Sequence, residues 1–375
     1  MIKFNARWRW LRPMLMAALV FGVYAFAVVP LVQSLTAPDT ITLTPSEYAA
    51  VRETTAELPT GDEPAGEQYI TIKWLGLFPI KKVLVNVLPF DSVLIGGLPV
   101  GICGTIDGVL VTAPSPDGVL RTGDLIHAVN GTPVANLTQY TTATAGLPSA
   151  TFTLTRDGRT VRKTVDLGQS LNLRDQTTGV GILTMVNPDN HTYTALGHQM
   201  TDFATGTAVD LTGGTIQPVK HQGLIKTQGH ETGVIQSSIA NTDPIGSITR
   251  GTAFGVTGCL TPDSALFASL DTTLPVATRY HVQPGAATLR TSLDGQTVEE
   301  FACEIIKARY QDQRRAKSMV IRITDDRLLA QTGGIVHGMS GSPIIQNGHL
   351  VGALTHAITH DPSKGYAVYI DFVNI

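Results

Sequence analysis

The sequence predicts a mainly β chain carried behind one membrane-crossing helix. Thirty-seven glycines and 21 prolines in 375 residues punctuate the chain too often for long helices and favour short strands. Past residue 69 the apolar residues fall in short β-branched runs with little helical period. Residues 14–32 form a run of 19 without a charge, roughly 28 Å long as a helix and so close to a bilayer core. The length exceeds the domain prior of about 150 residues, so two folded domains plus extras are expected. Charged residues make up only 15% of the chain, against roughly 25% usually. That excludes a disordered polyelectrolyte, a coiled coil and a nucleic-acid binder held by a basic surface. Cys103, Cys259 and Cys303 lack CxxC spacing, which excludes a disulfide scaffold or a cysteine-rich zinc module.

Lys3, Arg7, Arg9 and Arg12 precede the apolar run, and the next charge is Asp39. The positive-inside rule places the N-terminus in the cytoplasm and the rest outside. A cleaved signal peptide would have an apolar region of about 7–15 residues and a small-residue cleavage site. The longer run and the lack of a clean A-x-A favour a signal anchor, with residues 1–35 as cytoplasmic stub and helix. Subtracting those four cations from 27 leaves 23 basic against 30 acidic residues, a formal −7 on the exported part. That argues against binding anionic lipid head groups or nucleic acid.

Residues 36–68 hold seven acidic residues against one arginine, Arg52. They read as a flexible acidic tether with a short helix around residues 46–57. Strands are expected at residues 71–74 and 82–87. Next come Gly97, Leu98, Pro99, Val100, Gly101 and Ile102, a glycine-rich loop running into a strand. Leu120, Gly123-Asp124, Ile126, Val129 and Asn130-Gly131 follow. Asn130-Gly131 signals a type I′ hairpin, since both central positions need positive φ. A helix at 137–145 and a hairpin pairing 150–155 with 160–165 around Asp157-Gly158 complete the run. It resembles a PDZ domain, giving residues 69–168 as a β lead-in and PDZ-like domain. The resemblance implies that Gly97 to Ile102 would present N–H groups to a peptide C-terminus, or to the chain's own tether, and accept it as an extra strand. A β spacer that binds nothing is the alternative.

Residues 169–375 are rich in glycine and threonine, with strands expected at 180–185, 193–196, 233–239, 319–323, 343–345, 350–356 and 366–370. This suggests an all-β barrel domain. Within it, Gly338-Met339-Ser340-Gly341-Ser342-Pro343 flanks a serine with glycines, so a tight turn exposes Oγ ahead of a buried strand. The pattern Gly-x-Ser-Gly-x-Pro matches the nucleophile loop of chymotrypsin-like serine peptidases. In that geometry the N–H groups of Gly338 and Ser340 form the oxyanion hole. Ser342 in place of the second glycine disfavours an α/β-hydrolase elbow. The bland alternative is an ordinary glycine-serine turn.

A serine nucleophile needs a base. Among ten histidines, His198 follows a strand and a glycine in Leu196-Gly197-His198, which suits an imidazole projecting into a cleft. His337 is only three residues from Ser340, while His356 and His360 follow the next strand and could line a pocket. For the acid, Asp325 and Asp326 precede a short helical stretch, where Asp325 suits an N-cap. Asp243 is another possible orienter.

With these pieces placed, the chain resembles the sporulation stage IV protein B family of serine peptidases. The resemblance rests on Leu75-Gly76-Leu77-Phe78-Pro79-Ile80-Lys81, the PDZ-like run, Tyr193 to His198, Phe254-Gly255 with Gly258, Thr332 to Gly348, and Gly365-Tyr366-Ala367-Val368. It implies a catalytic set of His198, Asp325 and Ser340, no cofactor and no metal, and a chymotrypsin-like double β-barrel over residues 169–375. It further implies export across the forespore membrane and self-cleavage in the tether. The substrate would be a membrane-bound regulator of an intramembrane protease, cut between the forespore and mother-cell membranes. His337 stands where the family often has glutamine. An anchored PDZ-containing adaptor with a silent peptidase-like domain, or a general envelope protease, are the competing functions. His230-Glu231 lacks the second histidine of H-E-x-x-H, so a zincin is not supported.

Overall fold

Asn130 and Gly131 take φ of 48° and 84°, and Asp157 and Gly158 take 51° and 72°, so both hairpin signals in the sequence become turns. The structure is a computed structural model that describes residues 29, 31, 35, 37–54, 68–74, 77–229, 231–240, 242–311 and 313–373. It divides into two units, residues 1–89 and 90–375.

In the first unit Thr40–Leu43 runs parallel to Phe78–Val87, which pairs antiparallel with Gln68–Trp74. The helix Pro45–Thr54 starts with a capping box. The Thr44 N–H donates to Glu47 Oε2 (2.7 Å) and the Glu47 N–H to Thr44 Oγ1 (3.3 Å). Tyr48 and Val85 are buried together. Residues 40–54 are therefore folded, which corrects the expectation of a free tether from residue 36; residues 55–67 lie outside the described ones. The apolar run 14–32 also lies almost wholly outside them. Among the described residues no helix is long and apolar enough to cross a membrane.

The second unit contains two closed six-stranded barrels. The strands of the first are β1 (Pro99–Val111), β2 (Leu173–Val186), β3 (Thr192–Ala195), β4 (Leu211–Gln217), β5 (Gly246–Thr252) and β6 (Gly255–Leu260). They pair in the circuit β1-β2-β3-β6-β5-β4 and back to β1. Val100, Ile102, Leu183, Tyr193 and Val256 fill the interior. The second barrel has β7 (Gly285–Ser292), β8 (Val298–Ala308), β9 (Met319–Ile323), β10 (Pro343–Gln346), β11 (His349–Ala357) and β12 (Lys364–Tyr369), closed in the order β7-β8-β9-β12-β11-β10. Leu289, Phe301, Met319, Ile344 and Tyr369 form its core.

The far end of β1 leads into an insert with its own core of Val109, Leu120, Ile126, Tyr140, Phe152 and Val165. It contains the helix α1 (Leu137–Thr144), capped by Asn136, and the hairpin Ser149–Arg156 with Arg159–Asp166, in which Ala150 faces Val165 and Thr155 faces Thr160. Both elements sit where the sequence puts them.

Gly97 to Ile102 do not form an open peptide loop. The Gly97 N–H donates to the Leu183 carbonyl (2.9 Å), and Pro99 starts β1. Gly101 faces Val180 of β2 on one side and Gln217 of β4 on the other, so both edges are taken and no further strand can add. Val100 and Ile102 are fully buried. The first barrel thus takes its first strand from ahead of residue 168, and the PDZ-like part is an insertion in that barrel rather than a domain preceding it.

Candidate active site

The nucleophile loop is held from both barrels. Met339 is fully buried in the second-barrel core. Ser342 is also fully buried, and its Oγ hydrogen-bonds to the Met339 carbonyl (2.6 Å) and Thr291 Oγ1 (2.9 Å). From the first barrel, the Ile182 N–H donates to the Ser340 carbonyl (2.8 Å) and Thr184 Oγ1 to the Gly341 carbonyl (2.7 Å). Gly341 has φ 97°, and a Cβ there would lie 2.2 Å from the Ile182 carbonyl oxygen, so only glycine fits between the barrels. Ser340 Oγ donates to the Thr355 carbonyl on β11 (2.9 Å).

His198 leaves the first barrel just after β3, behind Leu196 (φ 73°) and Gly197 (φ 72°). Positive φ is strained for a leucine and marks a sharp, fixed turn. The turn abuts β11, since a Cβ on Gly197 would lie 3.0 Å from the Leu354 carbonyl oxygen. Past it, the His198 ring packs on His356 with centroids 4.6 Å apart. His198 and Ser340 thus meet the same short stretch, Leu354 to His356.

His198 Nδ1 lies 2.7 Å from the Gln199 carbonyl. A carbonyl only accepts, so Nδ1 carries the proton and Nε2 keeps its lone pair, the tautomer a general base needs. Gln199 is steadied by its own Nε2, which donates to Asp210 (2.8 Å). Burial lowers the His198 pKa, the Gln199 carbonyl opposes that, and His337 lowers it further. His356 is pushed down to about 4, first by burial and then by His198, Lys317 and His337.

Gly338 has φ 99°. Among the described residues, neither its N–H nor that of Ser340 has a hydrogen-bond partner. Two free donors beside a hydroxyl are an anion-binding arrangement, suited to the oxygen of a tetrahedral adduct. With a neutral imidazole at hand, the site can carry out acyl transfer.

The SpoIVB peptidase S55 family model matches residues 165–373, more than half of the chain. The chain belongs to that family. It is therefore a serine peptidase of a sporulation family, acting on a protein substrate. No curated protein matches the chain. The matched stretch starts after β1, so this S55 peptidase takes one strand of its first barrel from outside it.

Within the S55 peptidase, His198 and Ser340 both contact the stretch Leu354 to His356, and Asp325 is engaged elsewhere. Asp325 is the N-cap of α2 (Asp326–Thr332), where its carboxylate accepts from the N–H groups of Arg327 (2.9 Å) and Leu328 (3.4 Å). It also accepts from the Ala302 N–H (3.2 Å) and pairs with the Arg327 guanidinium (3.1 Å). That pairing, with the N–H donors, holds its pKa below the usual carboxylate range. The place of an orienting acid at Nδ1 is taken by the Gln199 carbonyl. Asp243 is exposed in the loop ahead of β5. The Gln199 carbonyl escaped sequence reasoning because a backbone carbonyl has no residue-type signal. Among the described residues no group of histidine, cysteine and acidic side chains is arranged to hold a metal.

Proposed function

We propose that this serine peptidase is exported, stays anchored by residues 14–32, cuts its own chain within residues 36–68, and cuts a membrane-bound regulatory protein in signalling between forespore and mother cell. The observation that carries the catalytic part is the pair of N–H groups at Gly338 and Ser340, without a partner among the described residues, next to the Ser340 hydroxyl, while His198 holds the tautomer of a base. In the proposed mechanism Ser340 Oγ leaves the Thr355 carbonyl and turns toward His198. Nε2 takes its proton as Oγ attacks the peptide carbonyl. The Gly338 and Ser340 N–H groups receive the oxyanion, and losing one such donor typically costs about 100- to 1000-fold. The imidazolium returns its proton to the leaving amine, and water repeats the sequence on the acyl enzyme. The Gln199 carbonyl holds the ring throughout.

The uncharged run 14–32 behind Lys3, Arg7, Arg9 and Arg12 supports the membrane part of the proposal. A binding role for the insert is supported by a cavity of about 620 Å³ between it and the turn after His198, lined by Arg121, Gly123, Arg156, Gln199, Thr205 and Thr207 among others. The test is the intact mass of the full-length chain in detergent, wild type against Ser340→Ala. Trimming within residues 36–68 in the wild type alone is the expected result. Trimming in both alike assigns the cut to another protease. An intact wild type in which a fluorophosphonate also leaves Ser340 unlabelled overturns the catalytic reading.

A further inference from the structure

The segment joining β8 to β9 is basic and lies beside the nucleophile. Arg309, Arg314, Arg315 and Lys317 fall there with one acid, Asp312. Its end is fastened to the strand that Ser340 touches. Thr355, whose carbonyl accepts from Ser340 Oγ, hydrogen-bonds through its own hydroxyl to the carbonyls of Ala316 (3.2 Å) and Tyr366 (3.1 Å). The next residue is Lys317. Its ammonium lies 5.0 Å from the centre of the Tyr366 ring, and Tyr366 faces His356 across β11 and β12.

Opposite, on β5 of the first barrel, Arg250 lies within electrostatic reach of Arg314, which stacks on Phe254. Lys317, Arg315 and Arg250 are exposed, and among the described residues none has a carboxylate partner. The charged and titratable groups that act on His356 are His198, Lys317 and His337, with no acid among them. An exposed lysine is ordinarily just solvated. Here one is placed over an aromatic ring, next to Ala316, which is hydrogen-bonded to the strand that Ser340 touches, and among the described residues Lys317, Arg315 and Arg250 have no carboxylate to neutralise them.

We infer that this peptidase selects acidic side chains at a substrate position next to the scissile bond, with Lys317 as the specificity-determining residue. The inference rests on Ser340 and His198 being the catalytic pair. Neutral His356 adds a polar surface beside Lys317 and no charge. A glutamate in the substrate would meet the ammonium at the edge of the cleft, where an ion pair is worth at most about 1 kcal/mol, or about fivefold in rate. A lysine at the same position would be disfavoured.

The test uses the full-length chain in detergent and internally quenched peptides in which each position is filled in turn by Glu, Gln or Lys. Cleavage sites are read by mass spectrometry, and a fluorophosphonate reports Ser340 reactivity of the wild type in parallel. The expected result is one position where Glu is favoured over Gln about fivefold, as an exposed ion pair allows, and Lys is least favoured. In Lys317→Glu the order at that position inverts, and in Lys317→Gln it flattens. These are ratios within one preparation, so a partly unfolded variant does not distort them. Labelled Ser340 with equal rates for Glu and Gln everywhere overturns the acidic selection and leaves the peptidase reading standing. A Glu preference unchanged in Lys317→Glu overturns the role of Lys317. Absent labelling and cleavage remove both readings together.

Discussion

The imidazole of His198 packs against that of His356, with ring centroids 4.6 Å apart and planes inclined by 35°. One ring follows β3 of the first barrel and the other sits on β11 of the second, so the contact spans the cleft. Two imidazoles in contact cannot both take a proton cheaply, even with His198 half-buried and His356 reaching solvent. Burial is the first cause that shifts each toward its neutral form; His337 adds to the shift of His198, and His198 adds to that of His356.

Activity should therefore persist into more acidic solution than an ordinary histidine base allows. The acid limb of kcat/KM is expected below pH ~6.5, the usual imidazole value. Stability should show the same pairing. His356 has a folded pKa of about 4, against ~6.5 in an unfolded chain, so the unfolded state binds its proton first. Its contribution is complete above about pH 6.5 and is lost as pH falls toward 4. Melting temperature against pH, compared with His356→Phe, should show the wild type losing more over that window. Parallel curves would count against the shift.

Asp325 should behave as a helix cap. Asp325→Ala removes the acceptor for the Arg327 and Leu328 N–H groups and should cost about 1 kcal/mol, or ~2–4 °C in Tm. Asp325→Asn is an equally good cap and should keep kcat close to wild type. A fall of about 10⁴ in the Asn variant, typical when an orienting aspartate is neutralised, would return Asp325 to the catalytic set.

Gly341 should tolerate nothing larger. In Gly341→Ala the new Cβ meets the Ile182 carbonyl oxygen at 2.2 Å, at a φ of 97°. The loop must shift, and a displacement of about 1 Å at a nucleophile typically costs about 100-fold in rate. Stability should fall by about 1–3 kcal/mol from backbone strain. Measuring kcat and Tm together separates the two effects. A wild-type kcat would show that the contact between barrels does not set the position of Ser340.

The most legible parts of the sequence were those decided within a few residues. Asn130-Gly131 and Asp157-Gly158 dictate their hairpins because left-handed backbone is a local requirement. Gly338 to Pro343 announces an exposed serine ahead of a buried strand for the same reason. Asp325 before a helix was readable as a cap, and a cap is how the structure uses it. The start of strand β1 was misread because Gly97 and Gly101 suggest a loop. Their purpose is close approach, since a Cβ at Gly97 would lie 2.6 Å from Val298 Cγ1 and one at Gly101 2.8 Å from Ile239 Cγ1.

By itself, then, the sequence determined the class of strand-rich architecture, the hairpins of the insert, the nucleophile loop and the histidine turn. Only the tertiary structure decided that β1 closes the first barrel between β2 and β4, that the insert interrupts this barrel, and that His198 takes its partner from the Gln199 carbonyl. Turn chemistry depends on the φ preferences of adjacent residues and is written in their order. Strand partners and hydrogen bonds to backbone carbonyls depend on which distant segments close together, and every residue type carries the same carbonyl.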